Sequence, residues 1–538
     1  MRNLRSTPHP ALRATLSLRE RHRSKVSILI VLTIPLLLGI RVLPASAPDS
    51  PAQISHLLNR AAFGPRPGDV ASVAKTGWAK YLDEQLHPEK IDDSTIESRL
   101  TAIDTWKSDA AALRTRYQRD PRPVLEQLQA QKLIRAVYSQ RQLQEVMVDF
   151  WFNHFNVNWT KEGMTFLVTG YERDSIRPHV FGKFRDLLLA TAKSPAMLVY
   201  LDNAWSGTPD VNENYARELL ELHTMGVDGG YAQKDVVEVA RCFTGWTIDR
   251  DHPEIGFVFS AKMHDSGDKI VLGHTIPGSG YAEGEAVIDI LAHHPSTARF
   301  IATKLVRRFV ADEPPAALVS RVAKVFIDTD GDIREMVRAI LTSDEISDPA
   351  VVGAKVKSPF EMVASTMRAV DADIQATVDQ RAVIGNLRNL PPNSTELSKS
   401  GGAMVRVSPA VIITKTIEQM GQFLYQFQDP TGIPDRSNYW MGGWELMHRL
   451  NFEEDLVNNR VLGTTVNTAQ LNTQFKGDPA SPNAWKTALS ILNGTFAGAP
   501  PLPANAASVE PYTDSGIFAG TALPPFVVAL GSPEFQHK

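Results

Sequence analysis

FRDLLLATAKSPAMLVYL, residues 184–201, and ARFIATKLVRRFV, residues 298–310, place apolar side chains three and four positions apart, the spacing of one face of an α-helix. The same period dominates from Ala52 to Glu345 and returns in KVKSPFEMVASTMRAV, residues 355–370. The fold class that follows is mainly α, a large multi-helix single body. One stretch breaks the period: GFVFSAKMHDSGDKIVLG, residues 256–273, has two short β-prone runs around Asp-Ser-Gly-Asp and predicts a small β-hairpin insertion projecting from the helices. Beyond Gln375 the stretches LRNLPPNSTELSKSGGAM (387–404) and YQFQDPTGIPDRSNYWMGGWELMHRL (425–450) mix Gly, Pro, Asn and aromatics. They predict a loop-rich C-terminal part, residues 376–538, packed on a helical core domain of residues 48–375.

Residues 1–25 carry seven Lys or Arg against one Glu, and the apolar run VSILIVLTIPLLLGI, residues 26–40, follows directly. That order predicts a signal peptide over residues 1–47. The run is shorter than the roughly 20 residues a spanning helix needs, and Ala45-Ser46-Ala47 is a small-residue cleavage pattern. The expected location is periplasmic or extracellular; the alternative is an inner-membrane anchor over residues 26–43, the chain then meeting a membrane only through its uncleaved signal segment. Removing residues 1–47 takes away eight of 56 basic and one of 60 acidic residues and leaves a net charge of −11. An acidic chain disfavours nucleic acid and anionic membrane surfaces as partners. Cys242 is the only cysteine, so stability rests on burial and not on an intrachain disulfide.

The densest group of chemically competent residues is NENYARELLELHTMGVDGGYAQKDVVEVARCFTGW, residues 212–246. At about 100° per residue, Asn214, Arg217, Glu218 and Glu221 share one face of its first helix, and His223 lies in the apolar arc opposite. Arg217 stands four residues before Glu221, a spacing that suits an ion pair and leaves Glu218 the freer acid or base. SQRQLQEVMVDFWFNHFNVNW, residues 139–159, repeats the division: Glu145, Asp149, Asn153 and Asn156 form a polar stripe, and His154 sits in the apolar arc. If the two helices pack through those arcs, His154 and His223 approach each other, which would suit a divalent metal. A solvated charged face and two packing histidines are the plainer reading of the same pattern.

His264 and Asp265 end the first run of the predicted hairpin, either as a loop pair over the helical body or as a turn in which Asp265 caps its own backbone. Trp246 follows Gly245, a helix stop, and is either a stacking surface for a ligand or core. DTDGDIREM, from Asp328, fails as a calcium loop because Phe326 and Val337 fall where carboxylates are required; Asp330 or Asp332 starts a helix there instead. PGSGY, near Ser279, lacks the first glycine of a nucleophile elbow.

HLLNRAAFGPRPGDV (56–70), MVDFWFNHFNV (147–157), NENYARELLELHTMGV (212–227), DVVEVARCFTGW (235–246), His264-Asp265 and HPSTARFIATKLVRRFV (294–310) together resemble the bacterial domain-of-unknown-function family numbered 1800. The resemblance runs from His56 to the C-terminal region. It implies an exported bacterial protein, often encoded beside a second exported family, numbered 1501, which is the expected partner. It implies no mechanism. Where that family often has Thr after the tyrosine of the second helix, this chain has Ala232, so Gln233 or a water must serve that helix end.

Three functions fit these patterns. The first is a hydrolase acting on an envelope or extracellular polymer, with Glu218 and Glu221 as acid or base, Arg217 and Asn214 orienting substrate, Asn153, Asn156 and Trp246 binding it, and His154, His223 or the His264-Asp265 pair assisting. The second is a non-catalytic envelope protein that binds or assists a companion. The third is a helical metal or haem protein built on His154 and His223.

Overall fold

Helical periodicity closes here into helices that share one apolar core. The computed structural model describes residues 50–249, 256–379, 406–476, 478–479, 481–494 and 525–538; the predicted signal segment 1–47 and the loop stretch 387–404 lie outside them. A contiguous core takes side chains from Ile54 to Phe535 and so draws on both the helical and the loop-rich halves. The helices that position the sites are α1 (Arg122–Tyr138), α2 (Gln142–His154), α3 (Phe184–Ala192), α4 (Gln233–Phe243), α5 (Pro295–Phe309), α6 (Ala316–Asp328), α7 (Ile333–Leu341), α8 (Pro359–Ala369), α9 (Ala410–Gln419) and α10 (Gly443–Val457). α5 packs on α6 and α7, α1 carries α8 and α9, and α10 lies on α8. No helix among the described residues is long and apolar enough to cross a membrane.

Several helix ends follow from local chemistry. Asp332 caps α7 by accepting from the Glu335 backbone N–H, and Ser358 caps α8 in a reciprocal box with Glu361. At α4, where Ala232 offers no hydroxyl, the carboxylate of Asp235 accepts from the Ala232 N–H at 2.9 Å. Gly245, at φ +78°, ends the turn after α4.

The helix expected from Asn214 changes pitch. It is α-helical over Asn214–Glu218 and widens to a π-helix over Leu219–Thr224, where the Met225 N–H reaches the Leu220 carbonyl and the Thr224 hydroxyl donates to that of Leu219. The wider turn takes Glu221 out of the four-residue register. Arg217 pairs with Glu213 at 3.0 Å and with Gln233 at 3.1 Å instead of with Glu221.

The β structure is small, as expected, but paired differently. β1 (Trp246–Ile248) is antiparallel to β2 (Phe257–Phe259), and β3 (Lys269–Val271) to β4 (His274–Ile276). The two runs around Asp-Ser-Gly-Asp therefore do not pair with each other. The tight turn falls at Leu272-Gly273, both at positive φ, which suits a two-residue hairpin loop. Nor does the segment project: Trp246, Lys269 and Val271 are fully buried, and β3 lies against α4.

Candidate functional site

The polar stripe of α2 is a buried wall, and cations cover it. Glu145 receives both forks of Arg177 at 2.7 and 2.9 Å, and Asp149 faces Lys132 at 2.9 Å and Arg308 at 3.7 Å. Beyond them opens a cavity of about 290 Å³, between α2, α5, the start of α8 and the segment 422–436. Its lining carries five cations, Lys132, Lys304, Arg307, Arg308 and Arg436, against three carboxylates, Asp149, Glu361 and Asp435.

Each carboxylate already holds a cation, although Oδ2 of Asp435 is buried without a hydrogen-bond partner. Glu361 takes Arg308 at 2.7 Å and also Lys538; burial would raise its pKa, but these two cations outweigh burial and hold it well below the ordinary range. Asp435 pairs with Lys355 at 3.0 Å and is lowered against burial by Lys355 and Arg308. Arg436 turns outward to Glu313, and Arg307 donates to the Asp312 carbonyl at 3.1 Å.

Lys304 is left over. Its ammonium has no hydrogen-bond acceptor and no ion pair among the described residues, and it stands 5.5 Å from the centroid of the Phe300 ring, one turn earlier on the same helix. Burial, and then Arg307, push its pKa down to about 8.

His154 also lines this cavity. Its Nε2 lies 3.1 Å from the His223 carbonyl oxygen, so that nitrogen donates, and Nδ1 is a buried acceptor with no partner. The two imidazoles do approach, with ring centroids 6.2 Å apart, and His223 Nε2 is likewise buried and unpartnered. Burial keeps both rings neutral: His154 is driven well below its usual range and His223 to about 3, each further lowered by Lys304. As a metal centre the pair is incomplete, because no group of three His, Cys, Asp or Glu that could hold a metal ion occurs among the described residues.

Asn153 and Asn156 are spent on the chain itself. Asn153 donates to the Ile433 carbonyl at 2.8 Å and accepts from the Ile433 N–H at 2.7 Å, while Asn156 donates to the carbonyls of Phe427 and Asp429. Tyr200 adds a bond to the Gln428 carbonyl at 2.7 Å. These bonds strap the loop 427–433 across α2. Gly432, at φ +73°, passes so close that a Cβ would stand 2.0 Å from the Asn153 carbonyl oxygen.

The far side of that loop is a second, open concavity lined by Glu218, Glu221, Leu222 and residues 428–431. Glu218 is raised by burial first and then by Glu221 and Asp429. Asn214 donates to the Leu201 carbonyl at 3.3 Å, which anchors the start of the helix.

His264, Asp265 and Trp246 are elsewhere. His264 is held between the Thr244 carbonyl at 2.8 Å and Glu283 at 2.9 Å, and Glu283 also binds Lys269 at 2.5 Å and the N–H groups of Ser279 and Gly280. Asp265 takes both forks of Arg241 and caps the Gly267 N–H. Trp246 is fully buried and stacks on Tyr281 with centroids 5.4 Å apart, so its surface is core and not open to a ligand. A buried ionic knot thus fixes the β segment, and both side chains of the His264-Asp265 pair are engaged within it. Of the two concavities described, Asn153 lines the first and Glu218 the second, and His264 lines neither.

Lys304, Arg307 and Arg308 did not stand out in the sequence. KLVRR reads as the solvated side of an amphipathic helix, and only the partners from α2, α8 and residues 422–440 turn it into a wall.

A model of the family described as Protein of unknown function (DUF1800) matches residues 56–537. No curated protein and no solved structure matches the chain.

Proposed function

This chain belongs to the protein-of-unknown-function family DUF1800, and we propose that it is an exported protein that binds an anionic group, carboxylate, phosphate or sulfate, of an envelope or extracellular molecule in the cavity between α2 and α5. One observation carries the reading: the Lys304 ammonium lines the cavity without an acceptor, while Asp149, Glu361 and Asp435 each already hold another cation. Lys304 is half-buried with its ammonium donors unused, and an anion from outside takes them through a charge-assisted bond. The neutral His154 Nδ1 accepts a hydroxyl or N–H of the same ligand, so a hydroxy acid or a protonated phosphate suits the site better than a bare halide. Export rests on the basic and apolar order of residues 1–47.

The test is calorimetry with inorganic phosphate and with tartrate. Lys304→Met keeps an unbranched side chain, one atom shorter, and removes the charge. It is expected to weaken binding by about 1.5–3 kcal/mol, the worth of one hydrogen bond to a charged group. Equal affinity in the variant and the parent refutes the site.

A second reading keeps the hydrolase, at the open concavity. Its support is Glu218, whose carboxyl is raised by burial and by the carboxylates of Glu221 and Asp429, the direction a general acid needs. Glu218→Gln is expected to lower hydrolysis of a responsive envelope polymer by a factor of about 10²–10⁴, without changing the melting temperature. Full activity in that variant ends this reading.

A further inference from the structure

The cavity rim continues into an exposed apolar surface that the proposed anion leaves unused. Trp440 lines the cavity, and its ring meets Tyr439 edge-on with centroids 4.7 Å apart. From there the chain runs through Met441 and two glycines into α10, whose first turns hold Trp444 and Met447 toward solvent. Met441 is 67% and Trp444 63% exposed, while Phe423, also on the cavity lining, is 52% exposed. Single exposed apolar residues are ordinary, but a run of large ones joined to a cavity marks a binding surface.

The chemistry changes along this path in one direction. At the inner end stand Lys304, Arg307 and Arg308; at the outer end the surface offers aromatic rings and thioethers. Resting on the anion reading above, we propose that the ligand is an anionic amphiphile, a single molecule whose charged head sits at Lys304 and whose apolar chain leaves past Phe423 and Trp440 to lie along Tyr439, Met441, Trp444 and Met447. Charge complementarity selects the head, and continuity of the apolar path with the cavity selects the tail. Methionine and tryptophan together suit a flexible chain, since the thioethers adapt their shape and the indole gives a broad flat contact. A bilayer surface is a poorer occupant, because the chain without residues 1–47 carries a net charge of −11 and the cations lie inside a cavity.

The experiment compares octyl phosphate, inorganic phosphate and octyl glucoside, all below micelle formation, by calorimetry and tryptophan fluorescence on the full chain. Octyl phosphate is expected to bind at least 100-fold tighter than either of the others. Trp444→Ser, at an exposed position with little bearing on folding, is expected to weaken octyl phosphate about tenfold and leave inorganic phosphate unchanged; Lys304→Met is expected to weaken both. Phosphate binding that Lys304→Met abolishes, with no gain from the octyl chain, refutes the amphiphile and keeps the anion site. Absence of any anion binding refutes both, and octyl glucoside binding as tightly as octyl phosphate refutes the role of the head.

Discussion

His154, His223 and His56 are neutral rings in a folded chain, and each is kept so chiefly by burial. His56 falls to about 3 through burial and the nearby Arg60, His223 to about 3, and His154 well below its ordinary value. The unfolded chain protonates the same rings below about pH 6.5. Their contribution is therefore fully present above pH 6.5 and is lost as pH falls toward 3, at up to about 1.4 kcal/mol per pH unit for each ring. His223→Gln removes one proton from that slope. Urea midpoints between pH 6 and pH 4 should fall less steeply in the variant; an unchanged slope would show that His223 is already protonated when folded. The inward direction of both His154 and His223 was legible in the sequence, because helical periodicity alone places them among Leu, Phe and Trp. The isolation of Lys304 was not legible. It depends on which acids each neighbouring cation has taken, and those acids come from distant parts of the chain, Arg308 reaching back to Asp149 and forward to Glu361.

At the level of elements, the helices followed the period and the strands did not follow their expected partners. β-prone runs announce that they pair but not with what, and the hairpin formed where Leu272-Gly273 allows positive φ on both residues. The π-turn at Leu219–Thr224 was equally hidden, since its sequence reads as an ordinary amphipathic helix. The loop 427–433 was recognisable as ordered by its Asp, Pro and Gly, yet its attachment was not, and Asn153 and Asn156, expected to bind substrate, hold its backbone instead. That attachment predicts a large difference between two glycines. Gly353→Ala, at φ +70° with open space around it, is expected to cost about 1–2 kcal/mol for the left-handed backbone alone. Gly432→Ala meets the same backbone cost and a clash with the Asn153 carbonyl, so its urea midpoint should fall well below that of Gly353→Ala. Equal midpoints would mean that the loop is not fastened to α2.

Across the whole molecule, the loop-rich half is structural to the helical half. The Phe360 N–H donates to Gln422, Gln129 to the Leu424 carbonyl, and residues 355–357 bond to Gln536 and Lys538. Composition identified the two textures, but only the three-dimensional contacts merge them into one core, because a boundary in residue usage is not a boundary in packing. The loop 427–433 is where this matters most. Thr431 belongs to both concavities, so a wall one strand of backbone thick divides a compartment of surplus positive charge from one held by Glu218, Glu221 and Asp429. Opposite electrostatic potentials stand back to back across it. On the anion reading proposed above, the protein thereby has a receiving side at Lys304 and a refusing side at Glu218, where the carboxylates repel an anion.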